Sequence, residues 1–135
     1  MATEIISSRT NELVKKIKKL SDRKYREKFG EYVAEGRRWI ADASRICPQN
    51  ITAIVKSQSC DYEGADFTLT DELFKEISET ENSQGILAVM KIPEETFGFS
   101  SDAVLFLDRI RDPGNMGTII RTAAAAGYTE IVANN

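Results

Sequence analysis

The stretch Leu107-Asp-Arg-Ile-Arg-Asp-Pro-Gly-Asn-Met-Gly-Thr-Ile-Ile-Arg-Thr-Ala-Ala-Ala-Ala-Gly127 decides how the chain is read. Just before it, Ala103 to Leu107 is apolar throughout, the pattern of a parallel strand covered on both faces. Beyond the loop, an alanine-rich segment of high helix propensity is expected from about Gly117 to Ala126, with Gly127 where a closing glycine belongs. Tyr128 to Ala133 then begins another strand. Strand, loop, helix, strand is one βαβ crossover, and open α/β sheets bind ligands at the carboxyl ends of their strands. Asn115 precedes the expected helix and is placed to cap it. Gly117 lets a backbone or phosphate approach the amides of the first turn. Arg121 follows four residues later on the same face, where a guanidinium reaches a phosphate or ribose above the loop. Taken singly, these residues are equally well turn and cap chemistry with a solvated arginine. The segment has neither the G-x-G-x-x-G of a dinucleotide fold nor the Lys-Ser/Thr pair of a P-loop. A single crossover cannot bury a two-sided parallel sheet, so a truncated domain, or cover supplied by another molecule, is expected.

Toward the amino terminus, the Pro-, Gly- and Ser-containing stretch before this unit reads as a linker. It divides the 135 residues into a first domain over 1–92, a linker over 93–102 and the crossover over 103–135. In the first domain Leu13, Val14, Ile17 and Leu20 recur at helical spacing behind Asn11, a plausible N-cap, with Lys15, Lys16, Lys18 and Lys19 on the other face. A second basic stretch, Ser21 to Lys28, surrounds Tyr25. Strands are expected over Glu31 to Ala34, Ile51 to Val55, Asp66 to Leu69 and Gly85 to Met90. Gly36 should turn into a helix through Arg37, Trp39, Ile40 and Ala43. Thr70 should cap a short helix with Leu73, Phe74 and Ile77 inward. Strands alternating with helices make this an α/β domain.

The net charge of −3 conceals an asymmetry: residues 1–40 carry +5, residues 41–102 carry −8, and residues 103–135 are neutral. A basic head on an acidic body implies a local polyanion contact. Cys47 and Cys60 lack metal-ligand spacing and the chain has no histidine, so no metal site is expected and His-assisted nucleophiles are excluded. There is no apolar run of membrane-spanning length and no secretory signal pattern at the start, so no membrane partner is expected and the cytoplasm is the default location.

Taken together, Asp108, Asp112, Pro113, Asn115, Gly117, Arg121, Thr122, Ala123 and Gly127 resemble the first signature motif of the SpoU/TrmH RNA methyltransferases. Ser8-Arg-Thr-Asn11, Val14-Lys15, Lys24-Tyr-Arg26, Glu35-Gly36 and Gln84-Gly85-Ile-Leu-Ala-Val89 resemble that family's substrate-binding domain, so the resemblance spans nearly all of the chain. It implies a small ribosomal-protein-like RNA-binding α/β domain followed by the truncated start of a knotted, dimerising parallel α/β methyltransferase domain. It also implies methyl transfer from S-adenosylmethionine to a ribose 2'-hydroxyl of ribosomal or transfer RNA. Asn115 and Arg121 match the family's motif asparagine and catalytic arginine. The family's second and third motifs, which form the cofactor pocket, are absent, so no cofactor-binding residue is expected within residues 1–135 and this polypeptide alone should be inactive. Arg9, Asn11, Lys15, Lys16, Lys19, Arg23, Lys24, Arg26 and Arg37 are the expected RNA-binding residues, joined by Lys18 and Arg38. Tyr25 or Phe29 can stack on an unpaired base. The competing expectation is a solvated amphipathic helix with Trp39 and Phe29 in the core, and for the whole chain a non-catalytic RNA-binding or ribosome-associated module.

Overall fold

Helix α1 (Glu12–Lys19) starts where the Asn11 side chain accepts the Leu13 N–H at 2.9 Å, the cap expected from the sequence. The computed structural model that establishes this describes residues 4–94 and 98–134. Val14, Ile17 and Leu20 are buried, as their spacing requires. A few residues later Asp22 caps α2 (Arg23–Phe29) by accepting the Lys24 N–H. No periodicity announces this helix because it buries none of its residues. Gly30, at φ 62°, ends it and turns the chain directly into β2 (Glu31–Glu35).

The remaining elements of the first unit are α3 (Arg37–Ile46), β3 (Ile51–Ser57), β4 (Phe67–Leu69), α4 (Asp71–Ile77) and β5 (Ile86–Lys91). A two-residue strand β1 (Ile5–Ile6), too short to leave a pattern, completes a sheet of order β1-β4-β3-β5-β2. The β1, β4 and β3 strands run parallel, whereas β5 is antiparallel to both β3 and β2. The sheet is therefore mixed, with helices on both faces. On one face Val14, Ile17, Leu73, Phe74 and Ile77 pack against Val55, Leu87 and Val89. On the other, Ile40 and Ala43 of α3 pack with Ile86, Ala88 and Met90. Strand β5 feeds both layers alternately, so all but its last residue are buried. At its start Gly85 has φ 71°, and a Cβ there would stand 2.5 Å from Ser57 Oγ, so only glycine fits this approach. Cys47 is partly exposed and Cys60 buried, both as free thiols. Among the described residues no helix is long and apolar enough to cross a membrane.

A second compact unit follows the first, the division falling between Glu94 and Glu95. It contains β6 (Leu105–Leu107), α5 (Pro113–Ala125) and β7 (Ile131–Ala133), with β6 and β7 parallel and Leu105 opposite Ile131. The expected crossover is present, with two corrections. Helix α5 begins at Pro113 rather than near Gly117, because proline's fixed φ suits the first helical position and Asp112 supplies the cap. Asn115 is thus the third residue of the helix and not its cap; its N–H donates to Asp112 Oδ1 at 2.6 Å. As a single crossover implies, β6 is not covered on both faces within this unit, where Phe106 is 59% exposed. At the other end Gly127 (φ 89°) closes α5 as expected, its N–H and that of Tyr128 bonding to the Ala124 and Ala123 carbonyls.

Candidate functional site

The turn from β6 into α5 is held from the far side by a residue that sequence reasoning missed. Asn134, just past β7, accepts the Arg109 N–H at 2.7 Å through Oδ1, and its Nδ2 donates to Asp108 Oδ1 at 2.8 Å. Arg109 adopts φ 53°, a left-handed conformation uncommon for a non-glycine residue. Strain of this kind persists where surrounding bonds fix the backbone, and the Asn134 bond to the Arg109 N–H does so. A lone asparagine after a three-residue strand gives no sequence signal for such a role.

Arg121 is exposed, and its guanidinium lies over Gly117: a Cβ placed at Gly117 would stand 3.4 Å from Nη1. Its Nη2 donates to Thr118 Oγ1 at 3.4 Å, while the Thr118 hydroxyl donates to the Gly114 carbonyl at 2.9 Å. The guanidinium thus lies along the helix surface with donors still open to solvent. Asn115 is also exposed, one turn into α5. The two lie six positions apart on the helix, about 9 Å along the axis, with no hydrogen bond between them in the described structure. Both side chains face solvent rather than the interior.

In the first unit the basic residues divide into two groups. Glu76 receives Arg9, whose Nε donates at 2.9 Å, and Lys18 at 3.2 Å. The Arg9 hydrogen bonds foremost, then Lys18, hold the Glu76 carboxyl below its ordinary range. Lys15 pairs with Glu12 at 2.9 Å, Lys16 with Glu31 at 2.5 Å and Arg23 with Glu27 at 2.7 Å. Arg37 pairs with Asp61, which keeps the Asp61 carboxyl low. Arg26 donates to the Leu20 and Ser21 carbonyls at 3.0 and 2.6 Å, closing the end of α1. The Asn11 side chain is engaged as a cap. Lys19 and Lys24 instead flank Tyr25, 5.6 and 5.8 Å from its ring centroid.

Trp39 and Phe29 are 41% and 39% exposed, so neither is the core residue of the competing expectation. Trp39 stands edge-on to Tyr32 beside a groove of about 470 Å³ that includes Arg38, Asn82 and Gln84. The neighbouring loop is anchored on Glu35, whose Oε1 accepts the Ser78 and Thr80 hydroxyls at 2.7 and 2.8 Å; Gln84 Oε1 accepts the Arg37 N–H at 2.8 Å.

Residues 11–88 match the family model described as the MRM3-like substrate binding domain. The chain is 36% identical over 132 residues to the 23S rRNA (guanosine(2553)-2'-O)-methyltransferase RlmP of Bacillus subtilis, covering 94% of this chain and 53% of that protein. It is 34% identical over 130 residues to the mitochondrial rRNA methyltransferase 3 of Mus musculus, covering 84% of this chain and 31% of the relative. A crystal structure of an AdoMet-bound rRNA methyltransferase from Sinorhizobium meliloti superposes with a TM-score of 0.75 at 27% identity, covering 97% of this chain and 54% of that one. A TrmH-family structure from Porphyromonas gingivalis gives 0.69 at 26% identity, over 89% and 50% of the two chains. The chain spans about half the length of the bacterial relative and about a third of the mouse one.

Proposed function

The chain belongs to the SpoU/TrmH family, whose MRM3-like substrate-binding domain it carries, and from that premise we propose that the whole protein methylates a ribose 2'-hydroxyl of RNA with S-adenosylmethionine as the methyl donor. The relatives named as rRNA methyltransferases favour ribosomal over transfer RNA as substrate. The first unit holds the RNA through its basic segment, and the second contributes Asn115 and Arg121. The whole protein is a cytoplasmic homodimer in this proposal.

The observation that carries it is the exposed guanidinium of Arg121 lying over Gly117, on the helix that follows the carboxyl end of β6. A guanidinium only donates, so it is not the base that removes the hydroxyl proton. Its planar fork suits the phosphate beside the target ribose, and its charge stabilises the alkoxide developing on the 2'-oxygen. The Asn115 amide, one turn into the same helix, orients the ribose by donating to or accepting from its hydroxyls.

The described residues do not by themselves enclose the methyl donor. Asp108, Arg109, Arg111, Asp112 and Asn115 are all exposed, whereas a ligand of that size is held by burying most of its surface. The cofactor pocket is assigned in this proposal to the part of its relatives' length that the chain does not span.

The test is to incubate the whole protein with ribosomal RNA and labelled S-adenosylmethionine and map the 2'-O-methylated nucleotide. Arg121→Ala is expected to lower kcat by about 10²–10³-fold, the usual cost of losing one donor to a developing oxyanion. Full activity in Arg121→Lys would overturn the role given to the planar fork, and RNA left unmethylated by the wild-type protein would overturn the activity.

A further inference from the structure

Building on the RNA-binding role proposed above, we infer that the outer surface of α2 is a stacking platform for an unpaired RNA nucleotide, formed by Tyr25 and Phe29 within a ring of three lysines. The two aromatic residues are four apart on the helix, so their rings share a face. The ring centroids lie 5.9 Å apart with planes 23° from parallel. In a core such a pair would need no further explanation. Here α2 buries no residue, Phe29 is 39% exposed and Tyr25 is half-buried. Lys28 completes the arrangement, its Nζ 6.0 Å from the Phe29 centroid, beside Lys19 and Lys24 around Tyr25.

These lysines differ from most of the basic head. Arg9, Lys15, Lys16, Lys18 and Arg23 each face a carboxylate, whereas among the described residues Lys19, Lys24 and Lys28 form no ion pair. Positive charge outside any ion pair therefore gathers on the two rings. That combination selects the partner. A single-stranded RNA offers a phosphate for each ammonium and a π-face for each ring, while in a duplex the faces are already used in stacking. An acidic peptide would satisfy the lysines and leave the rings in water. Ammonium–ring contacts at this distance are weaker than base–ring stacking. An arriving base therefore displaces the ammonium from the ring, and the ammonium moves to the flanking phosphate. Stacking tolerates any base, so α2 selects the unpaired state of the RNA rather than a sequence.

The test titrates the whole protein with a short single-stranded RNA carrying a fluorescent adenine analogue, beside the same sequence locked in a duplex, at several salt concentrations. Quenching is expected with the single strand only. Tyr25→Leu combined with Phe29→Leu should abolish the quench and weaken single-strand binding about tenfold or more, while Tyr25→Phe should retain both. Lys19→Gln, Lys24→Gln and Lys28→Gln together, all at exposed positions, should lower the log–log salt slope by about 2. A charge-matched control, Arg45→Gln, Lys75→Gln and Lys91→Gln, should leave the quench unchanged. A folded aromatic double variant that binds and quenches like wild type overturns the platform, as do equal losses on single strand and duplex. Wild-type protein that binds no RNA overturns the RNA-binding role as well, which separates the two failures.

Discussion

Lys16 holds its ammonium 2.5 Å from the carboxylate of Glu31, a residue only 8% exposed. Lys16→Met would leave that charge without its counter-ion, a loss of about 1–3 kcal/mol after allowing for the partial exposure of the lysine itself. Chemical denaturation should show a lower midpoint, and an unchanged one would mean that water solvates the Glu31 carboxylate as well as Lys16 does. At Glu130 the hydrogen bonds from Ser101, then those from Ser100, draw the carboxyl down from 4.5 to about 2. Because the folded value is the lower one, this interaction stabilises the unit above about pH 4.5 and is lost as the pH falls toward 2. The amide signals of Ser100 and Ser101 should therefore titrate together in that window, and Glu130→Gln should abolish the titration.

The elements differ in how plainly the sequence announces them. Helices α1 and α4 were legible because each has a capping side chain and an apolar stripe that the sheet then covers. Helix α2 was not, since a helix that buries nothing has no stripe to read. The start of α5 was misplaced because alanine propensity outweighed the Asp112-Pro113 start signal; Asp112→Ala should cost about 1 kcal/mol as the cap is lost. Gly85→Ala should cost more, about 2–3 kcal/mol, from a positive φ and the approach of Ser57 Oγ together. A thermal midpoint equal to wild type would show that the β3–β5 junction can spread. The basic head was legible as a charge pattern, but its division was not. Glu76 meets Arg9 across 67 residues of sequence, and no local reading foretells which cations such a carboxylate will claim.

On the scale of the molecule, the polypeptide comprising residues 1–135 should give no calorimetric heat with S-adenosylmethionine, since the crossover unit leaves its loop residues exposed. A measurable binding isotherm would require the pocket to be assembled from these residues after all. The first unit raises a separate question of alignment. Strand β5 is apolar on both sides up to Lys91, so sliding it by one position in the direction that draws Gly85 into the sheet would exchange the contents of the two layers without moving a polar group into either. Greasiness alone therefore cannot tell the strand where to stop. Its ends do so instead: the Gly85 carbonyl accepts the Ser57 N–H at 2.8 Å at one end, and the Ile92 N–H donates to the Gly30 carbonyl at 2.7 Å at the other. With both pegs in place the chain leaves the sheet on a fixed side, at the glycine that closes α2. A slipped strand would turn Ile92 toward the opposite face and break its bond to the Gly30 carbonyl.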